Sequence, residues 1–279
     1  AQMVGTSIHR NVGTFYGAYN MVGSLAGVVA SLLLTRCLEQ FEFPLSFRAV
    51  FLMGLVSALV ATVVVSVGVR EVTDDRVVEH IRLRDIFPIG VQILRENRPF
   101  RNYTLVKVLV GAAEFAVPYY IIAAGELEGA PAGFVGIMTT VYLVSKVVSS
   151  LVLGRIADRF GATRVLRCSC LCGAAAALMV ILIRDWRLAF VMYALLAVAV
   201  NGVMMSNNIA CVAYSGNVRT PIYAAASGLL CAPLYVVSSF AGAAIVGRFS
   251  YTAVFLIAMA VYAVCALLTF TLKDEPNRR

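Results

Sequence analysis

The sequence has little charge. Charged residues make up 14% of the 279 residues, whereas an average soluble protein carries about 25%. Apolar residues make up 61%, and the mean hydropathy is +0.86. The chain therefore has too few charged side chains to coat a surface in water, which excludes soluble globular, disordered and disulfide-scaffold classes. The sequence contains no P-loop, so the chain does not hydrolyse ATP by itself. It also has only two His and no H-E-x-x-H pattern, which is the zinc-binding motif of metalloproteases.

The apolar residues fall in separate blocks that are long enough to span a bilayer. A helix needs about 20 apolar residues to cross the hydrocarbon core. We therefore predict an all-α, polytopic transmembrane helix bundle of about eight helices. The predicted spans lie near 12–35, 48–69, 103–124, 132–153, 166–183, 188–213, 222–247 and 251–272.

The basic residues predict how the chain is oriented. Most of the 23 Lys and Arg residues fall in one alternate set of loops and ends. The positive-inside rule then places both chain ends and the segment 70–102 in the cytoplasm. We expect an integral multi-pass protein of the cell membrane. The net charge of +8 is explained by this topology and by the anionic lipid bilayer, so we expect no nucleic-acid partner.

The one long connection is 70–102, which mixes charged and apolar residues and contains Pro88 and Pro99. This pattern is typical of a short amphipathic helix at the cytoplasmic membrane surface. Two predicted spans precede the connection and six follow it. This uneven division indicates a piece of a longer protein.

A basic turn follows the fourth predicted span, with the sequence GRIADRFGATRVL from Gly154 to Leu166. An ordinary turn of a polytopic protein could carry these residue types, but the segment also resembles a known signature. It is similar to the G-x-L-A-D-R-x-G-R-K-x-x-L motif of the major facilitator superfamily, which follows the second helix of each six-helix half. The segment departs from the motif at Ile156, Ala162 and Thr163, and Arg164 offers a replacement for the lost charge.

The resemblance implies a major facilitator type of fold in which the chain corresponds to helices five to twelve. Residues 1–70 would hold the last two helices of the N-terminal half, 71–102 the cytoplasmic linker with its amphipathic helix, and 103–279 the C-terminal six-helix half. The resemblance also implies that the motif gates transport through contacts between helices and does not bind substrate. The gating residues would be Gly154, Asp158, Arg159, Gly161 and Arg164.

Several predicted spans carry polar residues along one face, where lipid would penalise them. In the third span, Lys107, Glu114 and Pro118 share a face because their spacing matches the helical period. Similar stripes run along the fourth, sixth and seventh spans, and we expect them to line a shared interior. The candidate substrate-site or proton-site residues are Glu114, Lys146, Tyr142, Asn201, Asn208 and Tyr235.

Helix depth suggests that two of these candidates pair. At 1.5 Å per residue, Glu114 would lie roughly 17 Å and Lys146 roughly 11 Å from the cytoplasmic ends of their predicted spans. The difference of roughly 6 Å is within reach of a Lys side chain. The sequence therefore predicts a Glu114–Lys146 ion pair near the midplane. It leaves open whether this pair is purely structural or whether Glu114 belongs to a substrate or proton site.

Glycine and cysteine residues predict packing more than chemistry. Gly13 and Gly17, like Gly23 and Gly27, match the small-x-x-x-small pattern of close helix contacts. The C-x-C-x-C run at 168–172 has no His beside it, and free Cys usually packs as a small hydrophobe. We therefore expect no metal site and no cofactor.

These features favour a secondary transporter, not an enzyme, that moves a small solute by alternating access with a coupling proton or other cation. The alternatives are a permease subunit that works with a separate ATPase, or an intramembrane enzyme of another helical-bundle family. An intramembrane enzyme should carry a cluster of His or carboxylate groups within its spans, and here only Glu114 qualifies.

Overall fold

A computed structural model of the chain describes residues 11–40, 45–68, 86–127, 134–215 and 220–272. These residues are helical almost throughout, and they include no β-strand. Eight helical spans among them are long and apolar enough to cross a membrane. The prediction of an all-α transmembrane bundle is therefore confirmed.

The helices follow one another with short connections. The described part of the chain forms α1 (Val12–Gln40), α2 (Leu45–Gly68), α3 (Ile86–Glu96), α4 (Arg98–Ala113), α5 (Val117–Gly125), α6 (Phe134–Phe160), α7 (Ala162–Leu182), α8 (Ala189–Ser215), α9 (Thr220–Arg248) and α10 (Tyr251–Leu268). Helices α4 and α5 form one span, interrupted by a 3₁₀ turn at Glu114–Ala116.

Helix α6 connects the first helix to the rest of the bundle, because it packs against both α1 and α8. Helix α8 in turn packs against α7, which packs against α10. Helix α4 contacts α9 and α10. The buried core runs through α4 and α7 to α10 and includes large side chains such as Tyr103, Met192 and Tyr262.

Close contacts between these helices depend on residues without side chains. A Cβ on Gly202 of α8 would overlap Ser169 Oγ on α7. A Cβ on Gly173 of α7 would lie 2.7 Å from the Tyr262 ring on α10. Close backbone approach of this kind is the main source of helix association in lipid, where burial of apolar surface offers little advantage.

The predicted amphipathic helix is α3, but its apolar side packs against protein. Ile93 and Leu94 are buried, and a Cβ on Gly90 would lie 3.3 Å from Ala226 Cβ on α9. Phe87 remains exposed. Helix α3 therefore lies against the start of α9. The sequence predicted an amphipathic helix at the membrane surface, but it did not predict this contact with protein.

The break between α4 and α5 coincides with a proline two residues into α5. Pro118 has no N–H, so it cannot donate to the carbonyl of Glu114, which receives the Val117 N–H instead. A 3₁₀ turn within a span often marks a functional hinge. The break puts the Glu114 carboxylate at an interruption within the span Arg98–Gly125.

Candidate functional site

Glu114 faces a cavity of about 240 Å³. Tyr235 of α9 donates a hydrogen bond to the Glu114 carboxylate. The carboxylate oxygen Oε1 is buried and has no hydrogen-bond partner among the described residues. One side of the carboxylate is thus bonded and the other is available. The cavity is lined by Glu114, Phe115, Pro118, Tyr119, Tyr235 and Ser238.

Gly111 allows Tyr235 to approach Glu114. A Cβ at Gly111 would lie 3.1 Å from the Tyr235 hydroxyl and ring, which is tighter than ordinary van der Waals contact. The hydroxyl of Tyr142 on α6 lies within electrostatic range of the same carboxylate. The structure thus brings together two of the candidate residues, Glu114 and Tyr235, and leaves Tyr142 within electrostatic range of them.

Lys107 lies on the same helix face as Glu114, about two turns away, and belongs to a chain of buried polar side chains. Its Nζ donates to Ser227 Oγ at 3.0 Å, and Ser227 donates to Asn207 Oδ1 at 2.9 Å. Lys107 is only 8% exposed, so its charge lies inside the bundle. Its spacing from Glu114 gave the signal that could have identified it, because the two residues share one helix face.

Lys146 lies on another cavity and forms no ion pair with Glu114, so the predicted pairing of these two described residues is wrong in this conformation. The helices extend further than predicted, so at 1.5 Å per residue Lys146 lies about 21 Å from the end of α6 at Phe160, and Glu114 lies about 24 Å from the start of α4 at Arg98. The two depths are similar. Their helices, however, have different neighbours: α4 packs against α9 and α10, and α6 against α1 and α8.

Asn201 joins two helices. Its Nδ2 donates to Ser150 Oγ at 2.9 Å and to Ser149 Oγ at 3.1 Å, both on α6. Asn201 is 1% exposed, and its amide also lies 3.5 Å from the Lys146 carbonyl oxygen. It therefore fixes the turn of α6 that carries Lys146, and it lines neither of the two cavities described here. Asn208 lies two turns further along α8 and is partly buried.

Asp158 lies near the end of α6 and accepts hydrogen bonds from the start of α1. Gly13 N donates to Oδ1 at 2.6 Å and Thr14 N to Oδ2 at 2.7 Å, and the Thr14 hydroxyl donates to the same Oδ2. The first N–H groups of a helix have no partner within that helix, and its N-terminus carries a partial positive charge. Asp158 thus satisfies two such groups of a helix 145 residues away in sequence.

Glycines bring the two helices together at this contact. A Cβ on Gly154 would lie 2.8 Å from Gly13 O, and one on Gly17 would lie 2.5 Å from Ser150 O. The predicted close-packing role of Gly13 and Gly17 is therefore confirmed, whereas nothing lies within 4 Å of a Cβ built at Gly23.

The basic part of the motif lies at the ends of α6 and α7. Gly161 separates the two helices and has φ 87°, a left-handed conformation that favours glycine. The guanidinium groups of Arg159 and Arg164 lie 5.7 Å and 4.8 Å from the centre of the Phe160 ring. The predicted turn is thus much shorter than 154–166, because both helices extend into it and leave only Gly161 between them.

One comparison with known proteins identifies the chain. The family model described as Major Facilitator Superfamily matches residues 108–279, which is more than half of the chain. No curated protein matches the chain significantly. The matched region includes α6, α7 and the Asp158 turn, so it agrees with the resemblance of that motif. The chain belongs to the major facilitator superfamily, a family of integral membrane proteins that transport small molecules.

Proposed function

We propose that this protein is a secondary active transporter that moves a small solute by alternating access, driven by the gradient of a proton or other cation. The observation that carries the proposal is the Glu114 carboxylate at the interruption between α4 and α5. Discontinuous helices near the midplane commonly form the substrate and ion sites of secondary transporters. Glu114 lies at an interruption of this kind, faces a cavity and keeps one buried oxygen available.

The physical role of Glu114 follows from the cost of charge in a membrane. A carboxylate without a compensating charge in hydrocarbon costs at least about 2.5 kcal/mol. Binding a proton or cation at Oε1 reduces that cost, and so does a rearrangement that brings Lys107 nearer. Conformations that place Lys107 at different distances from Glu114 therefore differ in their affinity for the coupling ion, so binding of the ion shifts the equilibrium between them.

The contact between Asp158 and α1 provides the gate in this proposal. It joins α1, which precedes the linker, to α6, which follows it. Rocking of the two groups of helices must break these hydrogen bonds and separate Gly13 from Gly154. With both chain ends in the cytoplasm, this contact closes the cytoplasmic side of the protein.

The test is transport by the intact protein in sealed proteoliposomes, with a panel of labelled small solutes and an imposed proton or sodium gradient. We expect accumulation of a solute that collapses with an ionophore. Glu114→Gln should abolish accumulation against a gradient but preserve exchange of solute between the two sides, because exchange does not require the coupling ion to dissociate.

The matched control is Glu126→Gln, the same change at an exposed position just after α5. It should transport like the unmodified protein. If Glu114→Gln leaves the rate and the pH dependence of accumulation unchanged, Glu114 has no coupling role. Transport that depends on ATP and resists ionophores would instead favour a permease subunit.

A further inference from the structure

The middle of the membrane spans carries an uneven set of charges. Among the residues that the structure describes, the charged side chains more than two turns from either end of a span are Lys107, Glu114 and Lys146. Charged residues at this depth are expected to pair with one another or to bind a substrate or ion. Two positive charges and one negative charge leave one Lys without a balancing carboxylate.

Lys107 and Glu114 act on each other electrostatically, although they form no direct ion pair. They lie seven residues apart on one helix face, or about 10.5 Å along the axis, and the positive charge of Lys107 acts on the Glu114 carboxylate. Lys107 is also bonded to Ser227 within the buried chain. Lys146 is therefore the unbalanced charge.

The Lys146 side chain lines a cavity of about 720 Å³ between α1 and α6. This volume falls within the roughly 300–1,000 Å³ that is typical of small-molecule sites. Tyr19, Asn20 and Ser24 of α1 give the cavity polar groups, whereas Phe15 and Leu143 give it apolar walls. None of the described residues that line it is acidic.

The backbone at Lys146 is firmly held. Its carbonyl oxygen accepts hydrogen bonds from Ser150 Oγ at 2.7 Å and from Ser149 Oγ at 3.1 Å, and both hydroxyls also bond to Asn201. A charged side chain whose turn of helix is fixed by a buried amide on a neighbouring helix is well placed to hold a ligand in one orientation.

We infer that the transported solute is a small organic anion, and that Lys146 binds its carboxylate or phosphate group in the cavity between α1 and α6. This inference rests on the proposed function, because it names the class of solute that the transporter would move. A bound anion supplies the missing negative charge and forms charge-assisted hydrogen bonds with the ammonium group. The apolar walls formed by Phe15 and Leu143 contact the rest of the solute.

The position of the cavity connects binding to the gate. The same two helices, α1 and α6, enclose the anion site and form the Asp158 contact. Lys146 and Asp158 are twelve residues apart on α6, or about 18 Å along the axis. The anion site and the gate therefore join the same two helices at separate levels along them.

The first experiment measures the charge of the cavity without any solute. Ala18→Cys in the intact protein is allowed to react with the anionic sulfonatoethyl and the cationic trimethylammonioethyl methanethiosulfonates. The reaction of the native cysteines is measured in the protein without this change and subtracted. We expect Lys146→Gln to lower the ratio of anionic to cationic rates by about tenfold. Lys273→Gln, the same change after the last helix, should not alter it.

The second experiment measures binding by the thermal unfolding of the purified intact protein in detergent at constant ionic strength. The probes are succinate with its neutral analogue succinamide, and glycerol 3-phosphate with glycerol. At least one anion should raise Tm more than its neutral partner does. The difference should be lost in Lys146→Gln and kept in Lys146→Arg, since Arg also binds carboxylates and phosphates.

The inference is overturned if the rate ratio is unchanged in Lys146→Gln, if neutral and anionic probes act equally, or if the anion effect survives without Lys146. Neither experiment requires transport. Loss of gradient-driven accumulation would therefore refute the proposed coupling and leave an anion site intact, whereas failure of these two tests would remove the anion site and leave the proposed coupling standing.

Discussion

At the scale of single residues, Asn201 offers the sharpest test of the packing. We expect Asn201→Leu to lower the free energy of unfolding by about 1 kcal/mol, because hydrogen bonds between membrane helices typically contribute about 0.6 and at most about 1.7 kcal/mol each. The buried amide bonds two serines of α6 and has no substitute there. Chemical or thermal unfolding in detergent micelles would measure the change.

The control is Asn208→Leu, the same substitution two turns along the same helix at a partly buried position. It should change stability by less than half as much. Equal destabilisation by both variants would mean that the bonds from Asn201 to α6 do not contribute specifically.

The sequence predicted which residues are unusual but not which residues they contact. Glu114 and Lys146 were identified from the cost of charge in lipid, and their similar depth made an ion pair plausible. Depth, however, fixes only the position along the helix axis. Which helix stands next to which depends on long-range packing, and the structure places Glu114 beside Tyr235 and Lys146 beside α1.

At the scale of the helices, the contact between Asp158 and the start of α1 predicts a specific kinetic defect. Asp158→Asn removes a negative charge from a helix N-terminus, an interaction typically worth about 0.3–1 kcal/mol. The closed arrangement of α1 and α6 becomes less populated, so the transport rate should fall severalfold. Affinity for the solute should not change, because Asp158 does not line either described cavity.

Initial rates of uptake across a range of solute concentrations measure both quantities. The matched control is Asp185→Asn, at the opposite end of α7, where the carboxylate bonds only to the nearby Arg187 N–H. If Asp158→Asn weakens solute affinity as much as it lowers the rate, the contact is not a gate of the kind described here.

The number of spans could be predicted from sequence because each helix needs about 20 apolar residues to cross a hydrocarbon core of fixed thickness. Their interruptions were harder to predict. Pro118 was visible on the polar face with Glu114, but a Pro within a span produces a kink, a 3₁₀ turn or neither, depending on its neighbours. The Asp158 motif was recognised by its spacing, whereas its partner at Gly13 and Thr14 lies far away in sequence and required the folded structure.

At the scale of the whole molecule, the positive-inside distribution predicts both chain ends on one side of the membrane. Attaching a Cys-reactive or protease-sensitive tag to each end in sealed vesicles would test this. Both tags should react only when the cytoplasmic face is accessible. An even number of spans requires the same result, and the described residues contain eight. Tags on opposite sides would contradict the orientation on which the gate depends.

In the proposed mechanism, α1 and α6 separate and rejoin during transport. The most direct test is the distance between spin labels at Asn11 and Arg155, two exposed positions beside the Asp158 contact, in the intact protein in lipid. We predict two populations: a short distance like that in the structure, and a longer distance whose share increases in Asp158→Asn and changes with the imposed ion gradient. A single distance that neither the variant nor the gradient alters would contradict alternating access at this contact.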